Sequence, residues 1–88
     1  MVSIDRRSYG RRYSDLPVDS LDRDGFMIDC AESFMRPEHY DLRVDDIVRW
    51  RQGERVIEGL IAAVECVDSQ VRVSLKEVHL LPPEFFFY

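Results

Sequence analysis

Long hydrophobic runs are missing from this 88-residue chain. The longest apolar stretch, Gly59 to Val64, falls far short of the ~20 residues a membrane-spanning helix requires, so no contact with the membrane interior is expected. Cysteine is scarce. Cys30 and Cys66 are the only two, whereas a small disulfide-stapled domain carries more of them behind a secretory leader. Arg and Asp residues stand near the N-terminus where the apolar core of a leader would sit. The expectation is a soluble, cytoplasmic protein with two reduced, buried thiols, since free cysteine packs as a small hydrophobe. Signatures of chemistry are missing as well. There is no G-x-S-x-G elbow, P-loop or dinucleotide fingerprint. His39 and His79 lie far apart, with no cysteine at ligand spacing, so no metal site is expected. Cys30 lies among acidic residues, which disfavour the thiolate a nucleophile needs. No enzyme activity and no cofactor are expected.

What is present is a division of charge. The first thirteen residues hold Arg6, Arg7, Arg11 and Arg12 against Asp5 alone, a local charge of +3, while everything after Tyr13 carries a net charge of −8. The whole chain stands at −5, which opposes general polyanion binding. Its 45% apolar content suits a folded globule rather than a disordered chain. Its length allows one small domain that buries about 60–65% of the surface of its unfolded form. Three parts are expected: a flexible basic arm over residues 1–13, a small β domain over 14–82, and an aromatic tail over 83–88.

Within the domain, Asp22-Arg23-Asp24-Gly25 reads as a turn, since Asp bonds its own nearby backbone and Gly takes φ > 0 cheaply. As a calcium loop it fails, because Ala31 stands where a bidentate Glu is required. Gly25 to Cys30 follows as a strand, and Ala31 to Met35 as one helical turn before Pro37. Asp46 to Arg51 reads as a strand that includes Trp50 as a core residue, and Gln52-Gly53-Glu54 as a hairpin turn. In Arg55 to Val67, the 3.6-residue spacing of Val56, Ile57, Leu60, Ile61, Val64 and Val67 suits an amphipathic helix. The β-branched content, Gly59 and the close flanking turns favour a strand with a bulge or bend at Gly59. Gln70 to Lys76 alternates apolar and polar residues without fault, the clearest strand in the chain. The fold expected is mainly β: a small antiparallel barrel or strongly bent sheet with at most one short helix. The stretch from Leu42 to Trp50, the hairpin after it, and Val71 to Leu75 resemble the opening and closing strands of SH3-like barrels.

Two binding elements stand out. The tail, Phe85-Phe86-Phe87-Tyr88, would leave several hundred Å² of apolar surface in water, which monomers rarely tolerate. It closes the core, docks into a second copy, or anchors another protein. The arm offers Arg6, Arg7, Arg11 and Arg12 as phosphate-gripping forks, with Tyr9 and Tyr13 as stacking faces. The spacing of Arg7 and Arg11 resembles the RxxxR motif of PilZ domains, small barrels that bind cyclic di-GMP. Of that family's pattern only Arg7, Arg11 and Gly25 have counterparts here. In Ser20-Leu21-Asp22-Arg23-Asp24-Gly25 the Ser and Asp of its second motif are exchanged and too close to the first. The functional expectation is a non-enzymatic protein–protein interaction module, in one form a homodimer, using its tail or a strand edge. The alternatives are nucleotide or nucleic-acid binding through the arm, or an acidic inhibitor that occupies the site of a nucleic-acid-binding protein.

Overall fold

The computed structural model describes residues 1–31 and 35–82. Among them the chain forms seven strands and one 3-10 turn, with no α-helix. The strands are β1 (Val2–Arg6), β2 (Gly10–Leu16), β3 (Ser20–Asp22), β4 (Gly25–Asp29), β5 (Ile47–Gln52), β6 (Arg55–Val67) and β7 (Gln70–Leu80), with the 3-10 turn at Pro37–Tyr40 before β5. They make one sheet in the order β2-β1-β5-β6-β7-β4-β3, antiparallel throughout. The sheet is strongly curled into a half-barrel, with β2 and β3 as its two edges. The mainly β architecture read from the sequence is the one observed.

The core lines the inside of the curl. Alternation puts Val2 and Ile4 of β1, Val48 and Trp50 of β5, Ile57 and Ile61 of β6, Val71 and Val73 of β7, and Phe26 and Ile28 of β4 on one buried face. Register joins them across strands: Ile4 opposes Val48, Trp50 opposes Ile57, and Phe26 and Ile28 oppose Val73 and Val71. Each large aliphatic among them contributes about 1.5–3 kcal/mol of burial. Leu16, Cys30, Tyr40 and Leu42 complete the buried cluster.

Arg55 to Val67 is a strand along its whole length. Helical spacing loses here because the first half of the strand, paired on both sides, satisfies its backbone and buries Ile57, Gly59 and Ile61 on one face. The ladder does shift at Gly59, although the extra residue sits on β7: Glu58 pairs with His79 and Leu60 with Lys76, with Glu77 at φ 53° between them. A Cβ on Gly59 would come within 2.9 Å of Val78 Cγ2, so the missing side chain leaves room for Val78. A second shift follows at once, with the extra residue on β6 between Ile61 and Ala63. Paired bulges of this kind increase local twist and help a sheet curl.

Two expectations differ from the structure, and a third falls largely outside the described residues. The segment read as an arm is β1 and most of β2, anchored by fully buried Val2 and Ile4. Its strand period is hidden because β2 is bulged twice against β1, once with Asp15 at φ 53°. The helical turn expected over Ala31 to Met35 falls partly on residues 32–34, outside the described residues. A 3-10 turn starts at Pro37, where the fixed φ of proline suits a helical first position. Cys30 is buried, but Cys66 is exposed on the far half of β6.

Candidate functional site

Three of the four arm arginines are held by the protein's own carboxylates. Arg6, at the end of β1, makes a two-pronged bond to buried Asp46, Nε to Oδ1 at 2.9 Å and Nη2 to Oδ2 at 3.0 Å. Arg6 Nη2 also donates to the backbone oxygen of Asp41 at 2.7 Å. The second oxygen of Asp46 accepts from the Arg43 backbone N–H at 3.0 Å, so this carboxylate fastens the β1 end to the turn before β5. Its hydrogen bonds to Arg6 raise the already high pKa of that guanidinium despite the opposing cost of burial. Arg11 is bonded to Asp5 and reaches Ser14 Oγ at 3.1 Å. Arg12 bonds Asp41 Oδ2 at 3.3 Å and lies over the rings of Tyr9 and Tyr13, 5.8 and 5.9 Å from their centroids. Its Nε is buried and has no hydrogen-bond partner among the described residues. Tyr13 donates its hydroxyl to the Tyr40 backbone oxygen at 2.8 Å, and burial pushes that phenol's pKa up.

Arg7 and Tyr9, at the tip of the β1–β2 hairpin, are the outward groups of this segment. Tyr9 is 74% exposed. Arg7 makes no hydrogen bond or ion pair among the described residues, and its nearest recorded influence is electrostatic, on Asp45. The two arginines of the RxxxR spacing therefore part company: Arg7 points to solvent and Arg11 is engaged with Asp5. Several carboxylates of the acidic stretch are likewise occupied at home. Asp22 Oδ1 accepts from the N–H groups of Asp24 and Gly25 at 2.8 and 3.1 Å, closing the β3–β4 hairpin as a local turn. Asp19 caps the Asp29 N–H at 2.6 Å.

Among the described residues no group of three or more His, Cys, Asp or Glu could hold a metal ion. His39 is exposed; His79 Nδ1 lies 2.9 Å from the Glu77 backbone oxygen and Nε2 lies 3.6 Å from Glu58 Oε1. No helix among the described residues is long and apolar enough to cross a membrane. Phe85, Phe86, Phe87 and Tyr88, the residues expected to bind a partner, lie outside the described residues.

A feature that no motif in the sequence announces is the unequal overlap of β5 and β6. The β5–β6 ladder ends at the Ile47–Leu60 pair, and the turn before β5 adds two more bonds, Ile61 N–H to Asp46 O and Asp45 N–H to Ile61 O. β6 then runs on to Val67, paired to β7 on one side and to nothing on the other among the described residues. From Ala63 to Val67 its ladder to β7 is unshifted, so this is a straight, five-residue open edge. Its exposed side chains are Ala63, Glu65 and Cys66. The other edges are protected in ways that natural sheets use against pairing. β2 is bulged and basic, β3 is three residues long, and the stretch of β7 beyond β4 is bulged at Glu77. Only a topology reveals the difference, because the length by which one strand outruns its neighbour is not written in either strand. In comparison with known proteins, the chain matches no family model, no curated protein and no solved structure.

Proposed function

We propose that this protein is a non-enzymatic interaction module that associates with a second copy of itself through the open edge of β6. The observation that carries this reading is the five-residue stretch Ala63–Val67, whose ladder to β7 is unshifted and which is unpaired on its other side among the described residues. An antiparallel pairing of this stretch with its own copy needs one surface only, as in any two-fold contact. Each backbone hydrogen bond gained contributes about 0.5–1.5 kcal/mol net. A contact of this length stays below the ~1,200 Å² of a stable interface, so the dimer is weak and concentration-dependent. Ala63 and Cys66 are small enough to let another backbone approach, and Glu65 has Arg72 as its cross-strand neighbour on β7, which softens its charge.

Light scattering over a range of protein concentrations, with amide hydrogen exchange across residues 62–67, tests this. Mass is expected to rise with concentration while exchange in that stretch slows. Lysines at two exposed edge positions, Ala63→Lys and Cys66→Lys, are expected to hold the protein monomeric without unfolding it. A monomer at every concentration, with exchange at 62–67 unchanged, ends the reading.

A second reading rests on Arg7 and Tyr9: a phosphate-bearing nucleotide or single strand held at the tip of the first hairpin. The engagement of Arg6, Arg11 and Arg12 leaves it one free fork and one stacking face. Its signature is affinity that falls with rising salt and disappears in Arg7→Ala.

A further inference from the structure

The open stretch of β6 presents a fixed set of backbone groups. The β6–β7 hairpin turns through Asp68-Ser69, so Val67 and Gln70 form its hydrogen-bonded closing pair. Bonded and non-bonded pairs alternate along an antiparallel ladder. Ala63, Glu65 and Val67 therefore direct their N–H and C=O groups to β7, while Val64 and Cys66 direct theirs to the open side. The other end of the stretch agrees with this phase. Ile61 bonds Asp45 and Asp46 on the β5 side, and the extra residue between Ile61 and Ala63 makes Val64 the next to face that way.

A two-fold contact pairs this stretch with itself about one central residue. Centred on Glu65, Val64 of each copy stands opposite Cys66 of the other. Both of those pairs exchange their N–H and C=O groups, so every outward donor and acceptor is used. Centred on Val64 or on Cys66, only the central pair exchanges bonds, because the other outward residue meets the bulge or the Asp68-Ser69 turn. Side chains favour the same register. Val64 and Cys66 oppose buried Val73 and Val71 on β7, so they lie on the core-facing side of the sheet, where the contact sets valine against cysteine. On the outer side Ala63 of each copy meets Val67 of the other. The one mismatched position is the centre, where Glu65 faces its own counterpart in a non-hydrogen-bonded pair, with Cα atoms about 4.5 Å apart.

Resting on the association through the β6 edge inferred above, we propose that the two copies meet in the register centred on Glu65, and that the facing carboxylates make this association proton-linked. Like charges directly opposite each other destabilise a strand pair, and two carboxylates so placed favour holding one proton between them. The dimer then binds more protons than two separate copies, so it tightens as pH falls and loosens as pH rises. The charged group beside Glu65 on β7 is Arg72, directly opposite, whose guanidinium bonds Gln70 Oε1 at 3.0 and 3.1 Å. It flanks the carboxylate pair from each copy. Gln70 and Ser74, the diagonal neighbours on β7, carry no charge, and Asp68 lies beyond Val67 in the turn. Glu65 is thus the gatekeeper of the edge: the backbone accepts a second copy at any pH, and the central charge sets how tightly.

Register and linkage are tested apart from association itself, on the full chain. Glu65→Cys with Cys66→Ser places a thiol at the centre, within the ~4.4–6.8 Å Cα separation that a disulfide spans. Treated with oxidised glutathione, this variant is expected to give a covalent dimer. The unaltered chain, in which the Cys66 positions stand diagonally about 7–8 Å apart, is expected to give little, as is Ala63→Cys with Cys66→Ser. Dissociation constants from light scattering at about pH 7.5 and about pH 5 are expected to differ by roughly two- to fivefold, the range of one cross-strand pair. Glu65→Gln is expected to associate at the higher pH as tightly as the unaltered chain does at the lower, with most of the pH dependence removed. Glu54→Gln takes the same charge from the exposed β5–β6 turn and is expected to leave that dependence in place, which separates the gate from the net charge of the chain. Circular dichroism confirms that each variant is folded; should Glu65→Cys not fold, Glu65→Gln still decides. A dimer that cross-links through Cys66 and not through position 65 overturns the register. Affinity equal at both pH values, or a pH dependence undiminished in Glu65→Gln, overturns the linkage. A chain monomeric under every condition, with exchange at residues 62–67 unchanged, ends the association and the register with it, so the two readings fail by different results.

Discussion

The first hairpin, β1–β2, and the last, β6–β7, pack onto the same core but enter it by different means. In β7 the apolar residues alternate without a break where β4 and β6 flank it: Val71 and Val73 are buried while Arg72 and Ser74 face solvent. In the first hairpin only Val2, Ile4 and Leu16 are buried, and β2 is bulged twice. What that hairpin lacks in apolar area it replaces with charge, Arg6 being tied to Asp46, Asp41 and, through Asp46, the Arg43 backbone. A short strand can thus be anchored by two side chains and one buried ion pair. Its charges, read as a patch for a ligand, are largely internal fastenings.

The comparison is most directly broken at Asp46. Asp46→Ala removes the buried carboxylate partner of Arg6, leaving it only Asp41, and is expected to cost about 3–5 kcal/mol, read as a lowered urea midpoint. Replacing both partners, Arg6→Met with Asp46→Leu, is expected to recover most of that loss. If Asp46→Ala leaves the midpoint unchanged, the first hairpin is not fastened by this pair.

Next in size is Ile4→Ala beside Ile61→Ala, both at fully buried positions. Each is expected to cost about 2–5 kcal/mol. Equal losses place the first hairpin in the core on the same footing as β6, whereas a negligible loss at Ile4 alone returns residues 1–13 to the status of an arm. A smaller effect is expected at Gly25, where β4 lies so close to β7 that an added Cβ would sit 1.9 Å from the Val73 backbone oxygen. Gly25→Ala is expected to cost about 1–3 kcal/mol as the strands part, with faster amide exchange in both strands as its mark.

The smallest effect concerns pH. Hydrogen bonding from Arg43, followed by the charge of Arg43 and the contacts with Arg6, outweighs desolvation and holds the exposed Asp41 carboxyl below its ordinary range. Lys76 does the same for Asp45. A carboxyl whose folded pKa is depressed contributes stability that is complete above its unfolded value, about 3.9, and is lost as pH falls through the folded value. Thermal midpoints are therefore expected to fall on acidification below about pH 4, and Asp41→Asn with Asp45→Asn is expected to flatten that fall. Both groups are exposed, so added salt shrinks the difference.

Much of the sheet was legible because alternation and turn chemistry act locally. Gln70 to Lys76, Asp46 to Arg51 and the Asp22–Gly25 turn stand where those patterns place them. The first hairpin was not, because two bulges disturb the period of β2 and the Val2-Ser3-Ile4-Asp5 alternation is too short to stand out among arginines. Its one readable signal was that alternation. The partners of Arg6, Arg11 and Arg12 were hidden for another reason: Arg6 meets Asp46 across forty positions of sequence, and no local rule pairs residues so far apart.

By itself, then, the order of residues determined which segments are extended, where they turn and which face of the last strands is apolar, since those are preferences of neighbours within a few residues. Tertiary structure alone decided that the basic N-terminal residues join the sheet, that Arg6 is engaged by Asp46, and that β6 outruns β5 to leave an edge open among the described residues. Such features depend on strand order and register, which arise only when distant segments compete for the same backbone hydrogen bonds and the same buried volume.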